Sequence, residues 1–413
     1  MIEQTYLVPR RRFREFQDTD AWEQRKLSDL AEVRTGKAFS SVDFSDDGEY
    51  LVVTNKNILD EANGIPSVGD RIDISEVTIL DNYLLRGDNI LVTMDGVNIG
   101  KTGKYSNEKA VLAQRVGRLN SEQLEFVYQI TRSDKFVSEM NKLSVGNAIK
   151  HISLKQISDY SFSAPISEEE QEKIGTFFNQ LDNLITLHQR KLDKTKALKS
   201  AYLSEMFPVE GESEPKRRFA GFTDAWEQRT LGEHAKFRRG SFPQPYGKKM
   251  WYDGDGAMPF VQVVDVTGQL VLVDETKQKI SRLAQPMSVF VPKGKIIVTL
   301  QGSIGRVAIT QYDSFVDRTL LIFEGYEKLT DEHFWAYTIQ QKFEIEKQKA
   351  PGGTIKTITK EALSSFDIFL PEYEEQKKIG EFFKQLDNLI TLHRYKLEKL
   401  KNIKKAYLNE MFI

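Results

Sequence analysis

The chain has no cysteine, which excludes disulfide bonds and thiolate metal ligands. It also has no run of about 18 apolar residues, so no segment is expected to span a membrane. The stretch up to Phe13 lacks the apolar segment of a signal peptide, and we therefore expect a cytoplasmic protein. The length of 413 residues suffices for two or three domains with proper cores.

An excess of basic charge is also missing. The 58 Lys and Arg residues are balanced by 60 Asp and Glu residues, which gives a formal net charge of −2. Proteins that grip DNA unaided are usually basic, because neutralisation of phosphates supplies most of their affinity. A DNA-binding function therefore requires basic residues concentrated on one face, or a partner subunit that supplies the cationic surface.

The loops that hold nucleotide cofactors are missing as well. No G-x-G-x-x-G follows a predicted strand, and without a Pro-Pro pair the chain cannot form the [DN]PP[YF] loop of an amino-methylating DNA enzyme. Residues 96–102 (GVNIGKT) resemble a phosphate loop, but the glycines are one residue too close together, and the matching residues 302–306 (GSIGR) lack Lys-Thr. No catalysis, cofactor or metal is expected in this chain itself.

The chain does contain an internal repeat. Residues 177–188 (FFNQLDNLITLH) return at 382–393 with one letter changed, and residues 20–25 (DAWEQR) return at 224–229. The offset is about 205 residues, so one unit of roughly 200 residues occurs twice.

Each unit is predicted to combine an α+β domain with one long helix. Short β-rich runs between Gly, Asp and Asn turns predict curled, mainly antiparallel sheets. After Pro165 and Pro371 a seven-residue apolar repeat predicts helices of about 39 residues that pair as an antiparallel coiled coil and separate the two domains. The predicted organisation is a first domain at 1–164, a central helix at 165–208, a linker at 209–218, a second domain at 219–370 and a C-terminal helix at 371–413.

The seam of these helices is predicted to form the coiled coil and to dock partner subunits. Its residues are Ile174, Phe177, Phe178, Leu181, Ile185, His188, Leu192 and Tyr202 in the first helix, and Ile379, Phe382, Phe383, Leu386, Ile390, His393, Leu397 and Tyr407 in the second. The two histidines are polar heptad residues expected to fix the register. The phenylalanines are bulkier than a two-stranded seam requires, so they either extend the interface to a partner or pack under the adjacent domain.

This organisation resembles the DNA specificity subunits of type I restriction–modification systems. The resemblance covers essentially the whole chain. It rests on AWEQRKL and AWEQRTL, on GNAIKHI and GGTIKTI, on the proline after each domain, and on the helices EEQEKIG…FFNQLDNLITLHQRKL and EEQKKIG…FFKQLDNLITLHRYKL.

The resemblance implies that each domain is a target recognition domain that reads one half of a split, asymmetric site in double-stranded DNA. It implies that the helices set the spacing of the halves and dock two methyltransferase (modification) subunits, which restriction/translocase subunits can join. S-adenosylmethionine is then expected in the methyltransferase partner, and ATP and Mg in the nuclease partner.

Candidate DNA contacts are basic, amide and hydroxyl side chains near predicted turns, several of them at matching places of the two units. Arg and Lys contact guanine or phosphate, and amides suit adenine. The candidates are Arg34, Lys37, Asn55, Lys56, Asn98, Lys101, Arg115, Asn147 and Lys150 in the first domain, and Arg238, Arg239, Ser241, Gln262, Ser303, Arg306, Arg318, Thr354 and Lys356 in the second. At each place the alternative is an ordinary turn or solvated surface. For the whole chain, the alternative is a coiled-coil adaptor that tethers two ligand-binding domains unrelated to DNA.

Overall fold

The computed structural model describes residues 8–58, 69–146, 150–349, 358 and 360–413. The chain forms two compact units: unit 1 is Met1–Lys191 with His393–Ile413, and unit 2 is Leu192–Leu392. Both long helices are divided between the units. Each unit therefore contains one α+β domain, the beginning of one long helix and the end of the other.

Unit 1 has two four-stranded sheets and a separate strand pair in its described part. The strands are β1 (Glu23–Lys26), β2 (Glu32–Thr35), β3 (Phe44–Ser45), β4 (Tyr50–Val53), β5 (Arg71–Ile72), β6 (Asn89–Thr93), β7 (Thr102–Tyr105), β8 (Ala110–Leu112), β9 (Val116–Asn120) and β10 (Ser161–Ala164). The helices are α1 (Val77–Tyr83), α2 (Leu124–Thr131), α3 (Asp134–Leu143), α4 (Leu154–Ser158) and the long α5 (Glu168–Met206), which continues into unit 2.

The sheets of unit 1 are mainly antiparallel, as predicted. One has the order β2-β9-β6-β7 and the other β3-β5-β4-β8, while β1 pairs with β10. The exception is the parallel pairing of β4 with β8. Successive side chains of β6 point to opposite faces of the sheet: Ile90 and Val92 pack with α2, α3 and α5, and Leu91 packs with the second sheet.

Unit 2 repeats this topology. Its strands are β11 (Glu227–Thr230), β12 (Ala235–Arg239), β13 (Met258–Val261), β14 (Gln278–Ile280), β15 (Val289–Val291), β16 (Ile296–Thr299), β17 (Val307–Ile309), β18 (Ser314–Val316), β19 (Leu320–Tyr326) and β20 (Asp367–Leu370), and its helices are α6 (Leu231–His234), α7 (Glu332–Lys349), α8 (Lys360–Ser364) and the long α9 (Tyr373–Met411). The sheets have the orders β12-β19-β16-β17 and β14-β13-β18-β15, with β11 beside β20. Here β13 and β18 are the parallel pair.

The helical stretch before the last strand differs between the units. The sequence predicts one helical stretch over residues 122–143, but unit 1 has two helices there, because Ser133 begins a new one. Its hydroxyl accepts a hydrogen bond from the backbone N–H of Phe136 at 3.1 Å, which caps α3. Unit 2 has the single helix α7 at the corresponding place.

The two long helices, α5 and α9, each have 39 residues. The 39-residue α5 starts after Ser167, whose hydroxyl accepts from the N–H of Glu170 at 3.4 Å. In unit 1 the rings of Phe178 and Phe412 lie 5.7 Å apart, and those of His188 and His393 lie 5.3 Å apart. The residue number on α9 falls as the number on α5 rises, so the two segments pair antiparallel within unit 1.

The same pairing recurs in unit 2. The ammonium of Lys199 on α5 donates to Asp387 on α9 at 2.5 Å, and the rings of Tyr202 and Phe382 lie 5.0 Å apart. The two segments of unit 2 therefore also run antiparallel.

A glycine in each long helix lets the domain approach the helix backbone. A Cβ at Gly175 would lie 2.6 Å from the backbone nitrogen of Phe126, and one at Gly380 would lie 2.9 Å from that of Phe334. Real Cβ atoms do not approach so closely, so no other residue fits without a shift. Each long helix therefore meets its domain through a notch that has no side chain.

A buried ion pair holds each domain to its helix beside that notch. Arg12 contacts Glu170 in unit 1 at 2.7 Å, and Arg218 contacts Glu375 in unit 2 at 2.6 Å. Both contacts are made through two guanidinium nitrogens, the geometry in which Arg binds carboxylate best. The arginine before Phe13 and the arginine before Phe219 therefore have the same structural role.

Candidate DNA interface

Strand register fixes which positions of the two domains are equivalent. The β4–β8 pairing ends at Val53 and Leu112, and the β13–β18 pairing ends at Val261 and Val316. The pairings of β6 with β9 and of β16 with β19 agree with the same alignment. The loops that follow these strands are therefore equivalent in the two units.

We call this group of loops the rim of each domain. The unit 1 rim consists of residues 36–37, 54–57, 94–98, 113–115 and 150–151, and the unit 2 rim of residues 240–241, 246, 262–265, 300–303 and 317–319.

Hydrogen bonds join the loops of the unit 1 rim. The N–H of Gln114 donates to the carbonyl of Lys37 at 2.8 Å, and the N–H of Met94 donates to the carbonyl of Arg115 at 3.2 Å. The amide of Asn55 contacts the carboxylate of Asp95. Loops that are distant in the sequence thus present their polar side chains at one place.

The last loop of the unit 1 rim comes from the segment before α4. The N–H of Gly96 donates to the carbonyl of Lys150 at 3.1 Å, and Asp95 forms an isolated bridge with His151. Lys150, the last residue of the predicted turn at 146–150, therefore lies at the rim, whereas residues 147–149 lie outside the described residues.

Equivalent contacts form the unit 2 rim. The N–H of Ser241 donates to the carbonyl of Val316 at 3.0 Å, and the N–H of Leu300 donates to that of Thr319 at 2.8 Å. The phenol of Tyr246 contacts the carboxylate of Asp317. The unit 2 loops are therefore joined by equivalent backbone hydrogen bonds, but their side-chain contacts involve different residue types.

Two glycines bring the first loop of each rim into place. A Cβ at Gly36 would lie 2.1 Å from the carbonyl oxygen of Leu112, and a Cβ at Gly240 would lie 2.1 Å from that of Val316. Only glycine permits this approach of the backbone. It places Lys37 in one rim and Ser241 in the other.

The loop that resembles a phosphate loop is a tight turn in both units. Gly96 and Gly100 have φ angles of 81° and 79°, and Gly302 and Gly305 have φ angles of 65° and 81°. These left-handed conformations favour glycine, and the backbone turns back to the strand instead of curling around a ligand. The N–H of Lys101 donates to the carbonyl of Asn98 at 3.0 Å within this turn.

The structure brings about half of the predicted DNA contacts together at the rims. These are Lys37, Asn55, Lys56, Asn98, Arg115 and Lys150 in unit 1, and Ser241, Gln262, Ser303 and Arg318 in unit 2. Their contact with DNA remains a prediction.

Other candidates lie away from the rims. Arg34 on β2 pairs with Glu32, and Arg238 at the equivalent place on β12 lies 3.9 Å from Glu324. The neighbouring Arg239 is exposed at the end of β12.

The lysine and arginine after the Gly turns face other parts of their domains. Lys101 lines a 360 Å³ cavity with Arg132 and Asn141. The guanidinium of Arg306 donates to the carbonyl of Val266 at 3.4 Å. The candidates Asn147, Thr354 and Lys356 lie outside the described residues.

One predicted match between the units is out of register by a residue. The sequence groups Gln114-Arg115 of the first domain with Asp317-Arg318 of the second as a pair of the same type. The strand pairings instead make Gln114 equivalent to Arg318, and Ala113 equivalent to Asp317. The two rims therefore differ more than the sequence suggests.

Sequence reasoning missed three rim residues: Asp95, Tyr246 and Asp317. Asp317 is 2% exposed and binds protein groups, and its position beside Arg318 in the sequence does not reveal these contacts. A signal for Tyr246 was present, since residues 242–252 interleave aromatic side chains with Lys248 and Lys249.

The seam residues divide into two sets by burial. Buried positions are Ile174, Phe178, Leu181, Leu192, Ile379, Phe383, Ile390 and Leu397, and half-buried positions are Phe177, Ile185, His188, Tyr202, Phe382, Leu386, His393 and Tyr407. The phenylalanines pack under the adjacent domain, which is the second of the two alternatives. Phe178 and Phe383 lie in the cores of units 1 and 2.

The two histidines meet each other within unit 1. The Nδ1 atoms of His188 and His393 lie 3.1 Å apart. Burial, and then the neighbouring His393, lower the pKa of His188. A direct contact between polar residues at equivalent seam positions agrees with the predicted role in fixing register.

The described residues contain no cluster of three or more metal-ligating side chains. None of the helices in the described part of the chain combines the length and the hydropathy that crossing a bilayer requires.

Comparison with known proteins defines the class. A family model described as "Type I restriction modification DNA specificity domain" matches residues 19–197 and again residues 223–402. Because the two matches take up most of the sequence, the chain belongs to this family and contains two copies of its domain.

Relatives and a solved structure agree with this assignment. The chain is similar to the type I restriction enzyme MjaVIII specificity subunit of Methanocaldococcus jannaschii, with 24% identity over 94% of this chain and 91% of that one. It is similar to the EcoBI specificity subunit of Escherichia coli, with 23% identity over 95% of this chain and 86% of that one. The structure of the type I restriction-modification system S subunit from M. genitalium has the same fold, with a TM-score of 0.66 at 14% identity over 98% of this chain and 99% of that chain.

Family membership confirms the predicted role in DNA recognition and the predicted fold class, and it argues against the adaptor alternative. It also confirms that the chain is a specificity component of a type I restriction–modification system and not its enzyme.

Proposed function

We propose that the chain reads a bipartite, asymmetric site in double-stranded DNA. The domain of unit 1 contacts one half of the site and the domain of unit 2 contacts the other. The long helices recruit two methyltransferase subunits, and restriction/translocase subunits join the complex. The partners supply the chemistry: S-adenosylmethionine binds to the methyltransferase, and ATP and Mg bind to the nuclease. Since the substrate is DNA, we expect the complex to act in the cytoplasm.

The observation that carries this proposal is the contrast between equal scaffolds and unequal rims. The strand pairings, the Gly notches and the Arg–Glu pairs recur in both units, while equivalent rim positions carry different side chains. The equivalent pairs are Asn55 and Val263, Asp95 and Gln301, Ala113 and Asp317, and Gln114 and Arg318. Base edges are read by side chains, and a change of side chain at a fixed position changes the base that fits. Two unlike rims on one scaffold suit two unlike half-sites.

The helices carry an exposed apolar surface at equivalent positions, which supports the docking of two like partners. Leu184 and Leu187 of unit 1 are each 44% exposed, and Leu389 and Leu392 of unit 2 are 44% and 43% exposed. They are the same residues of the repeated LDNLITLH segment. Exposed leucines one helical turn apart mark an interaction surface, and equal surfaces suit two copies of one subunit.

The near-neutral charge of the chain fits this division of labour. With a net charge of −2, the chain gains little affinity from release of counterions, so it is expected to bind DNA weakly when alone. The methyltransferase subunits are expected to complete the cationic surface around the duplex.

The proposal is tested by selecting bound duplexes from a random-sequence library, using the chain with and without its modification subunits. The complex is expected to select a two-part consensus with a fixed spacer. Methylation sequencing of the host genome is expected to show the same two-part motif. Equal and non-specific binding in both cases would contradict the proposal.

The docking surface has its own test. The double variant Leu389→Ser/Leu392→Ser is expected to lose one of the two methyltransferase subunits in a pull-down, because it removes the apolar surface of one unit. Leu329→Ser is the control, since Leu329 is 70% exposed but does not lie on a long helix. Loss of both subunits, or of neither, would contradict the assignment of one surface to each partner.

A further inference from the structure

The unit 2 rim contains a polar network built on a buried carboxylate. Asp317 is 2% exposed. Its Oδ1 accepts from the backbone N–H of Thr319 at 3.0 Å and from the Thr319 hydroxyl at 2.5 Å, and its Oδ2 accepts from the phenol of Tyr246. Burial, and then the bond to Asp317, raise the pKa of Tyr246 above its ordinary value, in keeping with a phenol that donates to a carboxylate. A buried carboxylate satisfied in this way fixes the groups that bind to it.

Tyr246 in turn contacts two side chains that reach toward solvent. The amide Nε2 of Gln262 donates to the phenol oxygen at 3.5 Å. The guanidinium of the exposed Arg318 lies over the phenol ring, 5.6 Å from its centroid. Aromatic faces attract guanidinium groups and hold them flat, which leaves the N–H groups along the guanidinium edge directed outward.

Other aromatic residues pack against the ring of Tyr246 and restrict its position. Its ring lies 4.8 Å from that of Phe242, and Phe242 lies 4.7 Å from the buried Phe260 and 5.2 Å from Tyr252. The ring is thus held by packing on one side and by Asp317 at its hydroxyl. A side chain that rests on it loses little further freedom on binding.

Unit 1 cannot form this network with its own equivalent positions. It has Ala113 where unit 2 has Asp317, Thr54 where unit 2 has Gln262, and Gln114 where unit 2 has Arg318. The alignment follows from the strand pairings that place Val53 beside Leu112 and Val261 beside Val316. The network is therefore a property of one half of the molecule.

We propose that Tyr246 is a positioning residue for base recognition, which orients Arg318 toward a guanine and Gln262 toward a neighbouring base in the half-site of unit 2. The inference rests on the proposed function. An arginine fork binds the O6 and N7 atoms of guanine through two parallel hydrogen bonds and needs a fixed orientation to do so. A phosphate contact has no such requirement, because it positions the protein without reading sequence.

The test is selection from a random-sequence duplex library by the full chain bound to its modification subunits. Tyr246→Ala is expected to lower the preference for guanine at one position of the unit 2 half-site, on the order of tenfold. The other half-site is expected to stay unchanged. Tyr246→Phe retains the ring under Arg318 and is expected to retain the guanine preference, while the neighbouring position read by Gln262 becomes less selective.

Two further variants keep the test independent of folding. Arg318→Lys retains the charge and lies outside the core, and it is expected to lose the same guanine preference because an ammonium has no planar fork. Tyr252→Phe changes a tyrosine of the same aromatic cluster. Its ring packs against Phe242, whereas Arg318 lies over Tyr246, so this variant is expected to leave the consensus unchanged.

The outcomes separate the inference from the proposed function. If Tyr246→Ala and Arg318→Lys weaken binding equally for all sequences, with the consensus unchanged, Arg318 contacts phosphate and the inference is overturned while the proposed function stands. If the unaltered complex selects no two-part consensus, the proposed function is overturned, and the inference with it.

Discussion

The long helices and the domain rims show opposite relations to the repeat. Residues 177–188 and 382–393 differ only at Asn179 and Lys384. In the rims, by contrast, the four equivalent pairs Asn55/Val263, Asp95/Gln301, Ala113/Asp317 and Gln114/Arg318 all differ. The buried residues of this segment pack with the other helix and with the domain in both units, and the exposed leucines are the surface proposed to bind like partners. The rim side chains do not pack against the long helices, so their differences are expected to reflect what each rim binds. A substitution in a helix should therefore act alike in the two units, and a substitution in a rim should not.

The largest effects should come from the buried phenylalanines, and they should be equal. Phe178 and Phe383 are both 0% exposed, and truncation of either to alanine is expected to lower the free energy of unfolding of its unit by about 3–5 kcal/mol. Hydrogen exchange in increasing denaturant can follow each unit separately, which matters because a chain with two units need not unfold in one step.

Matched controls lie nearby on the exposed face of the same helices. Thr176→Ala and Glu381→Ala change equivalent exposed positions and are expected to shift stability by about 0.5 kcal/mol or less. A large difference between the two phenylalanine variants would show that the helices do not have the same structural role in the two units.

Two inter-helix ion pairs differ in burial, so we expect the loss of one pair to cost more stability than the loss of the other. Lys404 contacts both oxygens of Asp182 at 2.6 and 2.8 Å, with side chains 11% and 7% exposed, while the Lys199–Asp387 pair is 15% and 24% exposed. Burial lowers the pKa of Lys404, and its contacts with Asp182 act in the opposite direction. Lys404→Met leaves the buried carboxylate of Asp182 with the longer contacts to Gln129 at 3.3 Å and Arg132 at 3.5 Å. It is expected to cost about 3 kcal/mol, against roughly 1–2 for Lys199→Met.

The double variant Asp182→Leu/Lys404→Met provides the control for the ion pair. It removes both charges and is expected to recover most of the lost stability, measured by chemical denaturation. Failure to recover would mean that the loss comes from the packing of the lysine stem, or from the missing acceptor for the buried Gln129, and not from the charge left on Asp182.

The rims should respond one half-site at a time. Gln114→Ala and Arg318→Ala change equivalent positions, and each is expected to reduce discrimination at one base pair of its own half-site by about 1–3 kcal/mol. Selection from a duplex library measures both halves of the consensus in one experiment. An altered consensus in both halves from either variant would contradict independent recognition by the two domains.

The smallest expected effect is the pH dependence that His234 adds to the stability of unit 2. His234 is 1% exposed, and its Nε2 lies 2.9 Å from the hydroxyl of Thr330. Burial, and then the nearby Arg229 and Lys328, lower the pKa of His234. The unfolded chain therefore binds the proton more readily, and unit 2 is expected to lose stability as the pH falls below about 6.5, by at most about 1.4 kcal/mol per pH unit for this residue.

His234→Leu tests this pH dependence. Unit 1 has Leu30 at the equivalent position, so the replacement makes the two units alike there. Denaturant unfolding between about pH 5 and 8 is expected to show a smaller loss of stability at acid pH. The part due to His333, whose pKa burial also lowers, should remain. An unchanged acid response would place its origin in other groups.

The parts of the fold set by local signals could be predicted from the sequence, and the parts set by long-range pairing could not. The long helices follow from the heptads and from Pro165, Ser167 and Pro371, all of which act within a few residues. The parallel β4–β8 pair joins strands about 60 residues apart. No hairpin turn connects these strands, so no local sequence signal predicts their pairing.

The same limit applies to the candidate interface. Sequence spacing identified many polar residues that reach the rims, since Gly turns and strand ends are visible locally. It could not identify the contact of Tyr246 with Asp317, which are 71 residues apart, nor show that Gln114 and Arg318 are equivalent. Only the strand register shows which residues of the two rims are equivalent.

The bare backbone at Gly175 and Gly380 has a consequence for how new specificities arise. At this contact the long helix requires two things of the adjacent domain. One is a helix start that can lie against the glycine, and the other is an arginine that can reach the nearby glutamate. A replacement domain must also bury the apolar helix residues that lie in the domain core, such as Phe178 in unit 1 and Phe383 in unit 2. We therefore expect that exchange of a whole domain, with the long helices unchanged, alters the DNA sequence that is recognised.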